Sequence, residues 1–425
     1  MPSVCFYFQV HQPYRLRHYH LFEIGKNHDY FDHKANREIC RKVAKKCYLP
    51  ANALMLELIQ RYPKDFKISY SISGVALEQF AEYCPEVVES FQKLVATGNV
   101  ELLDETYYHS LSSLFNGEEF RRQVKLHRQQ TKDFFGVKPA IFRNTELIYS
   151  NGIADMVEAM GYKAMLAEGW EPVLKGKSPN FVYEPKDGKG MKLLLKNYKL
   201  SDDIAFRFSN REWTEWPLSS DTFSQWLHRI DGSGDTVNLF MDYETMGEHQ
   251  WEDTGIFEFF RALPETVMRH PGFSFATPSE VIVKYPPVAK ISVPNATSWA
   301  DLERDTSAWL GNPMQDGAIA WLYTFEQAVL GSKDRGLIHT WRKLQTSDHF
   351  YYMCTKFWAD GDVHKYFSVY DAPHDSYTIM SNVLTDMELR TKRVTPARPV
   401  PIKKKASKAA TQPLRAKTLH PTTSA

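Results

Sequence analysis

The chain has 425 residues, 43% hydrophobic and 24% charged, with 52 Lys and Arg against 51 Asp and Glu. That composition is ordinary for a globular protein. No segment approaches the roughly 18 consecutive apolar residues of a membrane span, and the body carries no basic stripe for nucleic acid. Charge is unevenly placed: residues 391–425 hold nine Lys or Arg, five Pro and no acid, so against an overall +1 the first 390 residues carry about −8.

In chain order, short apolar runs alternate with segments of helical spacing. VCFYFQV (4–10) precedes a stretch containing NALMLELIQRY; KISYSIS (67–73) precedes ALEQFAEYCPEVVESFQKLVATG, whose apolar residues recur at three and four. NVELLDE (99–105) leads into GEEFRRQVKLHRQQTKDFFG, a predicted helix stopped by Gly136. AIFRNTE (140–146), KAMLAEG (163–169), LLLKNYK (193–199) and TVNLFMDYE (236–244) continue the series, with SFATPSE (274–280) as the last candidate strand. Strands alternating with helices imply parallel pairing through right-handed crossovers, and seven or eight such units suit a β/α barrel. The competing doubly wound sheet would carry a Gly-rich nucleotide turn, and neither GxGxxG nor GxxxxGK[ST] occurs.

Beyond Pro294 the pattern becomes helical only. The expected division is therefore a catalytic barrel over 1–290, a C-terminal helical domain over 291–390 contributing to the active site, and a disordered basic tail over 391–425. Five cysteines (Cys5, Cys40, Cys47, Cys84 and Cys354) with no CxxC pair fit reduced thiols. The N-terminus reads as a strand and not as a signal peptide, so a cytoplasmic location is expected.

Barrel active sites form at the C-terminal ends of the strands. Here those ends carry His11, then Glu101 with Asp104 and Glu105, Glu146, Glu168, Asp202 with Asp203, and Asp242 with Glu244. Converging carboxylates repel one another and resist desolvation, so their accumulation points to a site that uses them. Two carboxylates flanking a bond, one ionised and one protonated, do the work of glycoside hydrolysis, and Trp170, Trp299 and Trp309 offer flat faces for sugar rings. Other constellations are thin. HYH at His18–His20 has no clear carboxylate partner, and no GxSxG or HExxH motif is present.

Five stretches in order resemble glycoside hydrolase family 57, in its α-amylase-like branch: HQPYR (11–15), GNVELLDETYYHSL (98–111), FRNTELIYS (142–150), FMDYETMGEHQW (240–251) and SWADLERDTSAWLGN (298–312). The resemblance implies an incomplete (β/α)7 barrel and a retaining mechanism, with Glu146 as nucleophile, Asp242 as general acid/base, and their carboxyls about 5–5.5 Å apart. It also implies that His11 and Glu101 line the subsite of the ring under attack. Trp309, with Asp305 a turn before it, would stand on the acceptor side, and Glu248 and His249 would shape the loop beside Asp242. Met246 replaces an aromatic usual in the fourth motif.

The implied activity is endo-acting hydrolysis of α-1,4-glucan or maltooligosaccharides, glycogen or maltodextrin being the guess from compartment, with no cofactor and no metal. Alternatives are 4-α-glucanotransferase or branching activity on the same site, a non-catalytic glucan-binding protein, and a metal-dependent deacetylase built on His109 and His249. Oligomeric state is left open.

Overall fold

A computed structural model describes residues 2–356 and 368–394. Ten strands follow the chain: β1 (Ser3–Val10), β2 (Ile68–Ile72), β3 (Val100–Leu102), β4 (Ile141–Arg143), β5 (Ala164–Glu168), β6 (Val182–Pro185), β7 (Lys192–Lys196), β8 (Thr236–Asp242), β9 (Ser274–Phe275) and β10 (Ala289–Ile291). One arc runs β3-β2-β1-β8, all parallel, with β9 beside the start of β1. The other runs β10-β6-β7-β5-β4, in which only β6 and β7 are antiparallel.

The arcs meet at two thin seams. Asp104 joins β3 to β4 by donating to Ile141 O at 3.0 Å and accepting from Arg143 N at 2.9 Å; Asn197 N, just past β7, donates to Asn238 O of β8 at 2.8 Å. Seven parallel strands thus surround one interior without continuous ladders, which is the incomplete (β/α)7 barrel.

Residue parity then decides what reaches the site. Every residue of β1 is buried, as expected of a parallel strand covered on both faces. Val4, Phe6, Phe8 and Val10 face the surrounding helices, whereas Cys5 and Tyr7 join Leu103, Ile141, Leu166, Leu194 and Phe240 inside the barrel. Gln9 is the next inward residue and donates to Glu105 at 2.8 Å.

Helix ends follow their sequence signals. In Gly117–Phe135 the Asn116 side chain accepts from the amides of Glu118 and Glu119, and Gly136 closes the helix at φ 73°, a left-handed position suited to glycine. The C-terminal helices Pro313–Thr324, Arg335–Lys343 and Pro373–Val394 share a core with Phe142, Met165 and Leu193 on the outer face of the second arc.

Three expectations needed adjustment. β6 and β10 were not anticipated, because both lie outside the strand–helix alternation: β6 ends in Pro185 and pairs antiparallel with β7, and β10, past the last expected strand, pairs with β6. The boundary at 290 falls inside β10. The helix Pro373–Val394 runs through the first four residues assigned to a disordered tail, and residues 395–425 lie outside the described part. Among the described residues no helix is long and apolar enough to cross a membrane.

Candidate active site

A cavity of about 670 Å³ opens at the C-terminal ends of the strands. Glu146, Asp242, His11, His109, Trp299 and Trp309 are among its walls. Glu146 follows β4 in a left-handed backbone conformation, φ 57° and ψ 26°, unusual for a residue with a Cβ and costing about 1–2 kcal/mol. What this aims is a carboxylate with three neighbours able to donate to it. Trp299 Nε1 donates to Oε2 at 2.9 Å, Ser347 Oγ donates to Oε1 at 2.9 Å, and His109 Nε2 lies 3.3 Å from Oε1.

The charge on His109 is set from behind. Its Nδ1 sits 2.7 Å from Glu105 Oε2, so the ring is clamped between two carboxylates. Burial opposes its protonation, but Glu105 and Glu146 outweigh burial and carry the imidazole up to about 9. Glu105 responds in the opposite sense: burial would raise it, yet His109, His127 and Arg143 bring it down to about 2. Burial also favours the neutral form of Glu146, and again His109 and Arg143 prevail, holding it below its ordinary value. Glu146 is therefore an ionised carboxylate at neutral pH.

Asp242 ends β8, in register with Gln9 of β1. Burial, and then the charge of Glu146, push it up to about 6 against Arg143, His109 and Lys196. Two carboxylates on one cavity thus hold unlike proton affinities, which is the division of labour that acid-assisted displacement requires. Glu244, two residues on, is pushed up to about 8 by burial and by Asp242; it takes a hydrogen bond from Tyr48 Oη.

The remaining residues expected at the site divide. His11 lines the cavity, stacks on His109 with ring centroids 4.0 Å apart, and pairs through Nε2 with Asp348 at 3.0 Å. Trp309 and His249 also face the cavity, and burial lowers His249 to about 4.

Glu101 does not reach the site. Its carboxylate accepts from the backbone N of Ser279 at 2.8 Å and from the Ser279 hydroxyl, at the start of the helix Pro278–Lys284 whose Val281 plugs the other end of the barrel. The reason is depth: 101, 103 and 105 all face inward, but Glu105 lies about 13 Å further along at ~3.3 Å per residue, toward the site. Asp305 is not among the cavity walls either; its carboxylate accepts from Ser307 N at 2.8 Å and organises the turn before Trp309.

Sequence reasoning missed the roles of His109, Ser347, Asp348 and Arg143. His109 had a signal, four residues after an acid inside a quoted motif; Ser347 and Asp348 had none. Among the described residues no group of three or more His, Cys, Asp or Glu side chains is placed to hold a metal ion, so the ligand set needed by the deacetylase alternative is not assembled.

Comparison with known proteins decides the family. The model of glycosyl hydrolase family 57 matches residues 5–294. The chain belongs to this family. A relative from Methanocaldococcus jannaschii named "Putative alpha-amylase" is 45% identical over 401 residues, covering 91% of this chain and 84% of its own. Among solved structures, an alpha-amylase from Thermotoga maritima superposes with a TM-score of 0.61 at 13% identity, covering 93% of this chain and 94% of that one. A family 57 branching enzyme from Thermococcus kodakaraensis gives 0.61 at 14%, covering 83% and 86%. A 4-alpha-glucanotransferase from Thermococcus litoralis gives 0.56 at 16%; 86% of this chain is covered but only 54% of that longer one. At these identities the structural likeness carries the fold alone, and this member of family 57 must be read from its own site.

Proposed function

We propose that this family 57 protein is a retaining, endo-acting α-glucan hydrolase of the α-amylase type. Glu146 attacks the anomeric carbon while Asp242 protonates the departing glycosidic oxygen; Asp242 then takes a proton from water, which releases the covalent glycosyl intermediate. The observation that carries this reading is two carboxylates on one cavity in unlike surroundings, Glu146 facing the donors Trp299, Ser347 and His109 and Asp242 ending β8, so that charge is favoured on the first and proton uptake on the second. A cavity of about 670 Å³ has room for several sugar rings, with the partly exposed Trp299 as a flat face, His11 and His249 as polar contacts, and Trp309 buried in the wall behind. Five buried cysteines suit a reducing, cytoplasmic setting.

The test is incubation with maltooligosaccharides, following both chain lengths and the anomer first released. Shorter sugars alone, released as the α-anomer, are expected. Longer products would show that a sugar hydroxyl replaces water at the second step, and unchanged substrate would show a binding protein. Glu146→Gln is expected to lower turnover by about 10³-fold or more while glucan binding persists; an unaltered rate would remove it from the nucleophile's place.

A further inference from the structure

Arg143 is the last residue of β4 and points into the barrel beneath the cavity. Its side chain is fully buried, and none of its three guanidinium nitrogens has a hydrogen-bond partner. Such a cation is costly, because a guanidinium cannot shed its proton and usually finds a carboxylate fork. Instead it lies under the indole of Trp299, 4.6 Å from the ring centroid, a cation–π contact with the residue whose Nε1 donates to Glu146. Sequence places it three residues before Glu146.

We propose that Arg143 is a positioning residue for the carboxylate pair, acting by its fixed charge on Glu146 and Asp242 and by holding Trp299 against Glu146. The inference rests on the catalytic reading above and adds to it a source for the field inside the barrel. Arg143 acts to lower both carboxyls. The other groups facing Glu146 are His109, which stabilises its charge, and Asp348, which opposes it. Those facing Asp242 are Glu146, Glu244, His109 and Lys196. Around Arg143 itself stand Tyr7 and Glu105, which also feel its charge. His109 acts in the same direction as Arg143, but its own proton depends on Glu105 and Glu146.

Because one cation lowers both groups, removing it must raise both. In Arg143→Met the acid and basic limbs of kcat/KM against pH are expected to move upward together, by about one pH unit; Arg143→Lys, which keeps a charge, should bring both limbs back toward the wild type. A fall in kcat with neither limb displaced would reduce Arg143 to packing beneath Trp299 and overturn the proposal.

Should Arg143→Met fold but be too unstable at neutral pH for kinetics, its urea midpoint relative to wild type decides. Recovery between pH 7 and pH 4.5, as the carboxylates take up protons, is expected if charge is what was lost, whereas an equal deficit at both pH values would overturn the proposal. If the wild type turns over no glucan, the proposed function fails, and the stability comparison still tests Arg143 independently.

Discussion

Glu105 and His109 meet at 2.7 Å in the barrel interior, and this contact determines what His109 presents to Glu146. With both carboxylates ionised, both ring nitrogens carry protons and the imidazolium is a charged donor to the nucleophile. Glu105→Gln removes one of the two anions that retain the proton. Near pH 7 the ring should then lose charge and turn a lone pair toward Glu146, with kcat falling about 10- to 100-fold. The deficit should shrink at pH 5, where His109 is protonated from solvent without help. An equal loss at both pH values, in a variant with wild-type circular dichroism, would mean that Glu105 acts by shape and not by charge.

The pH profile follows from the same site. Glu146 must be ionised and lies below the ordinary carboxylate range, whereas Asp242 must be protonated and is carried up to about 6. Protonated Asp242 is lost as pH rises through that value, so kcat/KM should fall above about pH 6, with an acid limb below the ordinary carboxylate range and an optimum between them. The limbs belong to the interacting pair. A basic limb near 8 would instead point to Glu244, whose carboxyl is pushed up to about 8, as the acid.

Much of this was legible in the sequence, for identifiable reasons. Parallel strands buried on both faces read as apolar runs, and the acid at the end of a run is visible without coordinates; that reading put Glu146 and Asp242 within a larger set of acids, and the resemblance to family 57 singled out the pair. Depth along a strand is harder to read. Glu101 and Glu105 share a face of one short strand segment, and only the placement of the helix Pro278–Lys284 shows that the first lies at the closed end of the barrel. Groups from distant segments left no trace at all, because a serine such as Ser347, 201 residues from Glu146, resembles any other serine.

Glu101→Ala separates the two ends of the barrel experimentally. The substitution strips the Ser279 amide and hydroxyl of their acceptor, and a lost helix-start contact of this type costs about 1–2 kcal/mol. The urea midpoint should fall while kcat and KM on maltoheptaose stay within about twofold of wild type. A large fall in kcat with unchanged stability would return Glu101 to the sugar-binding role that its motif implies.

Ser347 tests whether the C-terminal helices take part in the chemistry. The helix Ser347–Tyr351 places Ser347 Oγ 2.9 Å from Glu146 Oε1 and Asp348 Oδ2 3.0 Å from His11 Nε2, so two successive side chains of one helix reach two neighbouring residues of the site. A hydrogen bond to a charged group contributes about 1.5–3 kcal/mol. Ser347→Ala should therefore lower kcat about 10- to 100-fold with little change in KM, because the donor orients the nucleophile and does not hold the sugar. The acid limb should also move upward, since an ionised Glu146 loses a donor that favours it. An increase in KM alone would place Ser347 in substrate binding, and unchanged kinetics would show that Trp299 and His109 suffice to fix Glu146.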